Sequence, residues 1–172
     1  TMKLHSGVGS CKLLEDKGAD VILYDGNTKL NAVAMKEQLG EKSKVRVVLG
    51  EFPEEEIDFL DLVVMSPGVP TDLPVVLKMK EQKIHVWGEI ELAYVCGKGE
   101  VLGITGTNGK TTTTSLLGEI MTNAFESAFI VGNIGNPYTT VASETKDESV
   151  IVAELSSFQL ESIHTFRPRV SA

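Results

Sequence analysis

The chain has 172 residues, a hydrophobic content of 42% and a formal net charge of -8. That length builds one full core or two small ones, and the acidic balance without a basic run argues against a protein that binds nucleic acid through clustered Lys and Arg. An anionic ligand would therefore have to be bound by local groups, such as backbone amides, a positioned Lys or a metal ion.

The apolar segments and the cysteines indicate the compartment. No apolar stretch approaches the roughly 20 residues of a membrane-spanning helix, and no positively charged leader precedes an apolar run. Cys11 and Cys96 are far apart and match no metal-ligand spacing, so we expect reduced, structural thiols. These features predict a cytoplasmic protein without membrane insertion.

Short apolar runs alternate along the chain with amphipathic helical patterns. The predicted strands are residues 21–24, 45–48, 62–65, 101–104 and 150–153. The predicted helices are residues 9–17, 31–39, 73–81, 89–95 and 111–121. Apolar runs without polar alternation are typical of strands covered on both faces. The alternation of strands and helices predicts an α/β fold with parallel sheet.

A glycine-rich segment divides these elements into two groups. Residues 96–100 contain two glycines and two charged residues just before a new strand, which is typical of a linker. We therefore predict one domain over 1–97 and a second over 98–172. The first helix begins almost at once, and residues 166–172 resemble a turn that enters an unfinished strand, so we expect a truncated chain.

The strongest motif lies between the fourth strand and the fifth helix, from Gly103 to Thr112. Glycines allow the backbone to turn its N–H groups toward phosphate oxygens, Lys110 can reach the terminal phosphates, and the Thr111 hydroxyl can bind Mg²⁺. The strict P-loop pattern has glycine five positions before Gly109, where this chain has Ile104. The motif predicts a nucleotide-phosphate loop of a variant type.

A phosphate loop by itself is compatible with a GTPase, a kinase, an ATPase motor or a ligase. Glu154 follows the strand at 150–153, and an acidic residue at the carboxyl end of a strand in such a sheet is placed to hold a metal ion. A solvated residue at the strand exit explains the same position equally well. Both interpretations remain open from the sequence.

Several segments together resemble one enzyme family. Residues 105–112, Thr-Gly-Thr-Asn-Gly-Lys-Thr-Thr, resemble the phosphate loop of the Mur ligases and their folylpolyglutamate synthetase relatives. Residues 154–161, Glu-Leu-Ser-Ser-Phe-Gln-Leu-Glu, are similar to a segment of the D-glutamate-adding branch. Residues 132–135 and 66–69 also resemble family segments, so the matches cover nearly the whole chain in order.

The resemblance implies an N-terminal Rossmann-like parallel-sheet domain followed by part of a P-loop α/β ATPase domain. It also implies the following site residues. The ATP-binding loop comprises Gly106, Thr107, Asn108, Gly109, Lys110, Thr111 and Thr112. Thr111 and Glu154 would hold Mg²⁺, and Lys110, Asn133 and Glu154 would be the catalytic residues. The substrate-binding residues would be Ser6, Asp25 and Gly68 near the uridine and diphosphate, Asn133 near the reacting end, and Ser156.

The activity implied by the resemblance is ATP-dependent amide formation in peptidoglycan synthesis. UDP-N-acetylmuramoyl-L-alanine would be activated by ATP as an acyl phosphate and would then react with D-glutamate, in an enzyme that is monomeric when intact. The family has a metal-ligating His, a modified Lys and a further domain downstream of the segments matched here. We therefore expect this chain alone to be inactive, and His5, His85 and His164 to be structural or surface residues.

Other interpretations remain. The chain is also compatible with another Mur or folylpolyglutamate-type ligase, or with a non-catalytic P-loop module, although no guanine-reading Asn-Lys-x-Asp segment is present. A nicotinamide-binding domain over 1–97 is disfavoured because Lys12 replaces the third glycine after Gly7 and Gly9. Asp25 and Gly68 would equally suit ordinary turns, and Asn133 between glycines would suit a left-handed backbone.

Overall fold

The structure, a computed structural model, describes residues 6–172, except for the side chain of Ser6. The helices are α1 (Ser6–Asp16), α2 (Ala32–Leu39), α3 (Glu54–Ile57), α4 (Pro74–Glu81), α5 (Glu89–Cys96), α6 (Lys110–Ala124), α7 (Tyr138–Val141) with a 3₁₀ turn at Ala142–Glu144, and α8 (Ser157–Leu160). The strands are β1 (Ile22–Asp25), β2 (Arg46–Leu49), β3 (Leu62–Met65), β4 (His85–Gly88), β5 (Glu100–Ile104), β6 (Ala128–Gly132), β7 (Val150–Glu154) and β8 (Val170–Ser171).

The α/β prediction is confirmed, and its strands and helices are found close to their predicted places. Local signals explain several boundaries. The Asn31 side chain accepts hydrogen bonds from the first amides of α2, Pro74 occupies the first turn of α4, and Ser156 with Gln159 forms a capping box at α8. The pattern did not predict β4, which begins at an exposed His and ends at a Gly, nor did it predict β6 or the four-residue helices.

All strand pairing within residues 6–172 is parallel, but the strands described before residue 98 form two pairs instead of one continuous sheet. β1 pairs with β2, and β3 pairs with β4. In the Rossmann strand order 3-2-1-4-5, strands 2 and 3 lie on one side of strand 1, and strands 4 and 5 lie on the other side. The two pairs observed here correspond to those two sides. The later strands form one sheet in the order β6-β7-β5-β8. β5 and β7 are therefore the central strands of this second sheet.

One apolar core joins the two parts of the chain, which we name the N-terminal half (6–97) and the C-terminal half (98–172). Its buried side chains come from both halves: Leu13, Ile90, Leu92, Ala93, Val101, Val131, Tyr138, Val141, Ala142, Ile151, Ala153, Leu155 and Phe166. β7 is buried along its whole length, as expected for a strand covered on both faces. β1 is only half-buried throughout, so that expectation is wrong for the N-terminal strands.

The cysteines are packed thiols. Cys11 is buried in a smaller core cluster with Val8 and Leu39, and burial raises the pKa of its thiol to about 11. Burial also raises the pKa of the half-buried Cys96. Both are free and protonated at neutral pH, which suits the structural role expected of them. Over residues 6–172, no helix combines the length and apolar character needed to cross a membrane.

Candidate functional site

The glycine-rich loop lies between β5 and α6, at the carboxyl end of a central strand. Gly106 and Gly109 have φ angles of 128° and 80°, and no atom lies within 4 Å of the Cβ position of either residue. Residues 105–109 are exposed, and no side chain caps the first amides of α6. The loop therefore presents backbone N–H groups and the positive end of a 15-residue helix to solvent.

Side-chain and backbone contacts hold this loop against its sheet. The Thr105 hydroxyl donates to the Leu155 carbonyl at 3.0 Å, and the Leu155 amide donates to the Ile104 carbonyl at 2.8 Å. The Lys110 ammonium donates to the Gly106 carbonyl at 2.6 Å, across its own loop. Lys110 is thus the cation that lies beside the free amides, and the end of β7 supports the loop from the other side.

Glu154 is the last residue of β7 and stands beside the end of β5. Its side chain is 1% exposed, so the interpretation of a solvated strand-exit residue is wrong. One carboxylate oxygen, Oε1, accepts from the Asn133 amide nitrogen at 3.0 Å. The other oxygen, Oε2, is buried without a hydrogen-bond partner. Such an oxygen is costly unless a donor or a cation reaches it.

The turn after β6 explains how Asn133 reaches this carboxylate. Gly132 has a φ of 101°, and a Cβ there would lie 2.2 Å from the Glu154 carbonyl oxygen. The Asn133 amide donates to that same carbonyl at 2.9 Å. Among the described residues other than glycine, Lys83 alone has a positive φ. The left-handed interpretation of Asn133 is therefore wrong, because the flanking glycines take the unusual conformations.

Replacing Gly132 with Ala is expected to destabilise the fold by roughly 2–5 kcal/mol, because the methyl group would overlap backbone atoms in addition to straining φ. Gly40 is a matched control, since its φ is 104° but no atom lies within 4 Å of its Cβ position. Gly40→Ala should lose only the strain, about 1–2 kcal/mol. Urea unfolding of both variants measures the difference. Equal losses would contradict the close approach at Gly132.

The candidate site residues of the N-terminal half do not lie together in one place. The Asp25 carboxylate accepts from the Asn27 amide at 2.8 Å, which is a local turn. Gly68, with a φ of 83°, lines a cavity of about 370 Å³. The other side of that cavity is formed by residues near α8, including Gln159 and Ser162.

The remaining candidates lie elsewhere or cannot be placed. The Ser156 side chain caps α8 and does not line this cavity, nor do Asp25 and Asn133. The side chain of Ser6 lies outside the described residues. A larger open groove of about 990 Å³, between residues 12 and 45, contains none of the candidate residues whose side chains the structure describes.

Two buried acidic residues beside this cavity were not predicted. Glu89 and Glu91, in the first turn of α5, are 3% and 0% exposed. Glu89 accepts from the Thr139 amide at 2.8 Å and from the Thr139 hydroxyl at 3.0 Å. Burial raises the pKa of Glu89. Burial also acts to raise the pKa of Glu91, but hydrogen bonds from residues 164–166 outweigh it and lower that pKa. Their signal in the sequence was Glu-Ile-Glu opening an otherwise apolar helix.

The free energy of unfolding of Glu89→Gln should increase relative to that of the unmodified chain as the pH rises. The pKa of Glu89 is raised above its ordinary value of 4.5 in the folded protein. The unmodified chain therefore loses stability as the pH climbs from about 4.5 through the folded-state pKa, and the neutral amide does not. Urea unfolding of both proteins between about pH 4.5 and pH 8 measures this. A difference that stays constant with pH would contradict it.

Two family models together match most of the chain. The family model for the Mur ligase MurD-like N-terminal domain matches residues 5–88, and the Mur ligase middle-domain model matches residues 104–171. The chain belongs to the Mur ligase family. A UDP-N-acetylmuramoylalanine--D-glutamate ligase of Lachnospira eligens is 53% identical over 97% of the chain, and one of Lachnoclostridium phytofermentans is 51% identical over the same share.

The chain spans 37% of the length of each of these two relatives. Among solved structures, the UDP-N-acetylmuramate:L-alanyl-gamma-D-glutamyl-meso-diaminopimelate ligase from Neisseria meningitides matches 99% of the chain and 56% of its own, with a TM-score of 0.57 and 20% identity. That likeness supports the Mur ligase fold, including the Rossmann-like character of the N-terminal half.

Proposed function

We propose that this chain is the front part of an ATP-dependent ligase that adds D-glutamate to UDP-N-acetylmuramoyl-L-alanine. The observation that carries the proposal is that the open loop with Lys110 follows β5 directly, while the neighbouring strand β7 ends in the buried, half-paired carboxylate of Glu154. The relatives at 53% and 51% identity carry the name of that ligase. In this proposal residues 1–97 form the UDP-sugar domain and 98–172 form part of the ATP-binding domain of a monomeric, cytoplasmic enzyme.

The residues fit ATP and Mg²⁺. The Cβ positions at Gly106 and Gly109 are open, so phosphate oxygens can approach the backbone amides from Gly106 to Thr112. Mg²⁺ prefers oxygen ligands, and the unpaired Glu154 oxygen with the Thr111 hydroxyl supplies them. The described residues contain no cluster of three or more His, Cys, Asp or Glu side chains that would hold a metal unaided. Nucleotide phosphates and water would therefore complete the coordination, and the ion would neutralise charge on the transferred phosphoryl group.

The chemistry follows from the weak reactivity of a carboxylate toward an amine. The alanyl carboxylate attacks the γ-phosphorus of ATP, which forms an acyl phosphate and releases ADP. The amine of D-glutamate then attacks the acyl carbon, and phosphate leaves from the tetrahedral intermediate. Lys110 and the loop amides would stabilise charge on the β- and γ-phosphates, and positioning would supply much of the rate.

The muramoyl substrate has candidate contacts in both halves. Gly68 at the cavity and Asp25 at the end of β1 would lie toward the uridine and diphosphate, together with Ser6. Asn133, already within 3.0 Å of the Glu154 carboxylate, would meet the reacting end, and Ser156 would be near it. Each of these contacts is part of the proposal.

Calorimetric titration with UDP-N-acetylmuramoyl-L-alanine tests the substrate assignment. We expect binding, with UDP-N-acetylglucosamine at least about tenfold weaker because it lacks the lactyl-alanyl arm. In the full-length protein, phosphate release should depend on D-glutamate and not on L-lysine or diaminopimelate. Release driven by a diamino acid would assign the chain to another Mur ligase, and no binding of either UDP-sugar would overturn the substrate assignment.

A further inference from the structure

The segment between α8 and β8 crosses from the C-terminal half onto the N-terminal half. We name residues 162–167 the strap. The Ser162 carbonyl accepts from the Gly88 amide at 3.0 Å, and the ring Nε2 of His164 lies 2.9 Å from the Val86 carbonyl oxygen. At the other end, the Tyr94 hydroxyl donates to the Arg167 carbonyl at 3.3 Å. The strap is thus hydrogen-bonded along its length to β4 and α5.

Glu91 lies at the centre of these contacts. Its Oε2 accepts from the amides of His164 and Phe166 at 2.8 and 3.0 Å. Its Oε1 accepts from the amide and the hydroxyl of Thr165 at 2.7 and 2.5 Å. The residue is fully buried. Both oxygens act as acceptors, so an amide side chain, with only one acceptor atom, cannot replace the carboxylate.

The strap connects two parts of the candidate site. On its amino side, α8 and Ser162 form one wall of the 370 Å³ cavity, and the turn containing Gly68 forms the opposite wall. On its carboxyl side, β8 pairs with β5, the strand that leads into the phosphate loop. Gly88 leaves no space here, because a Cβ would lie 2.3 Å from the Ser162 hydroxyl oxygen. A shift of the strap would therefore move α8 relative to the turn that contains Gly68.

We propose that Glu91 is a positioning residue that fixes the strap to α5. By doing so it holds the two walls of the UDP-sugar cavity at a fixed distance from each other and keeps the cavity in a fixed position relative to the phosphate loop. The carboxylate does not touch the reacting atoms. It acts through the backbone of residues 164–166, and through them on α8 and β8. The identity of the ligand in the cavity depends on the proposed function, whereas the fixed placement of the two halves does not.

Glu91→Gln tests the placement directly. The substitutions Glu37→Cys on α2 and Glu126→Cys after α6, both at exposed positions, carry spin labels in a Cys96→Ala background. Pulsed electron paramagnetic resonance then measures the distance between the two halves. We expect a narrow distance distribution in the parent chain and a broader one in Glu91→Gln. The NH₂ group of Gln would face two hydrogen-bond donors of the strap, so it cannot accept their hydrogen bonds. Glu89→Gln is the matched control and should stay narrow, since one oxygen makes both Thr139 contacts that Gln can keep. A folded Glu91→Gln with the parent distribution would overturn the proposal.

Thr165→Val provides a milder variant if Glu91→Gln does not fold. It removes one of the four donors and keeps the three amides on the carboxylate. We expect a smaller broadening in the same direction, and circular dichroism should show an intact fold. In that case an unchanged distribution in Thr165→Val would overturn the proposal.

Ligand affinities separate positioning from general damage. In Glu91→Gln the affinity for UDP-N-acetylmuramoyl-L-alanine should fall about tenfold or more, while affinity for ATP should stay within about twofold, because the phosphate loop is held by β5, α6 and the end of β7, and Glu91 is hydrogen-bonded to residues 164–166 instead. Equal losses of both affinities would indicate general destabilisation and would count against positioning. If the parent chain does not bind the UDP-sugar, the proposed function fails, and the distance measurement still tests the strap.

Discussion

Replacing Lys110 with Ala should lower the affinity of the chain for ATP by about 30- to 150-fold, which corresponds to about 2–3 kcal/mol for a charge-assisted contact to phosphate. The chain as a whole is acidic, with a net charge of -8, so attraction for a triphosphate has to come from local groups. Lys110 is the cation already held across the open loop, 2.6 Å from the Gly106 carbonyl oxygen. Isothermal titration calorimetry with ATP and Mg²⁺ measures the effect.

Lys98→Ala is the matched control for this experiment. Lys98 is also in the C-terminal half, but it is exposed and pairs with Asp147 at 3.4 Å on the surface. Its removal should change ATP affinity by no more than about twofold, because surface ion pairs contribute little. Unchanged ATP affinity in Lys110→Ala would mean that the loop is not the nucleotide site. Circular dichroism and the urea midpoint check that both variants fold.

Glu154→Gln should remove most of the gain in nucleotide affinity that Mg²⁺ provides. The amide keeps an oxygen that can accept from Asn133, but it replaces the buried, unpaired Oε2 with a neutral donor that cannot bind a cation. We expect the Mg²⁺-dependent part of ATP affinity to fall about 10- to 100-fold, while affinity without the ion changes little. Calorimetry with and without Mg²⁺, and Mn²⁺ binding followed by electron resonance, measure the two parts.

The same variant separates metal binding from folding. Because a buried carboxylate oxygen without a partner is costly, Glu154→Gln should not lower stability in the absence of the ion. Glu119→Gln, an exposed residue on α6, is the control and should leave both the affinity and its ion dependence intact. Full retention of the Mg²⁺ effect in Glu154→Gln would remove this carboxylate from the metal site.

Local patterns in the sequence predicted those parts of the site that are contiguous in the chain. The loop from Gly106 to Thr112 was found because one strand, one turn and one helix form it. Glu154 was predicted from its position and from the family resemblance. Its burial excludes a solvated residue, and its role in binding Mg²⁺ stays a prediction. The side-chain bond between Asn133 and Glu154 joins residues 21 positions apart. It depends on the closeness of the Gly132 backbone to the end of β7.

Residues whose role depends on remote partners were missed. Glu91 bonds to residues 73 to 75 positions away, and no periodicity in the sequence reports such a contact. Glu89 faces Thr139, 50 positions away. Both residues are acidic and lie in the first turn of an otherwise apolar helix. This pattern indicates that they are buried, but it does not indicate which residues they bond to. β4 was missed because His85 and Gly88 interrupt its apolar run, and α8 was missed because its four residues span only about one helical turn.

The sequence by itself determined the α/β class, the phosphate loop and the resemblance to the Mur ligases, because each depends on the order and spacing of neighbouring residues. The tertiary structure alone decided that the N-terminal strands form two pairs, that Glu154 is buried with one free oxygen, and that the strap joins the two halves. The physical reason is that burial and hydrogen bonding depend on which segments, distant in sequence, come into contact. The packing of the whole chain determines those contacts.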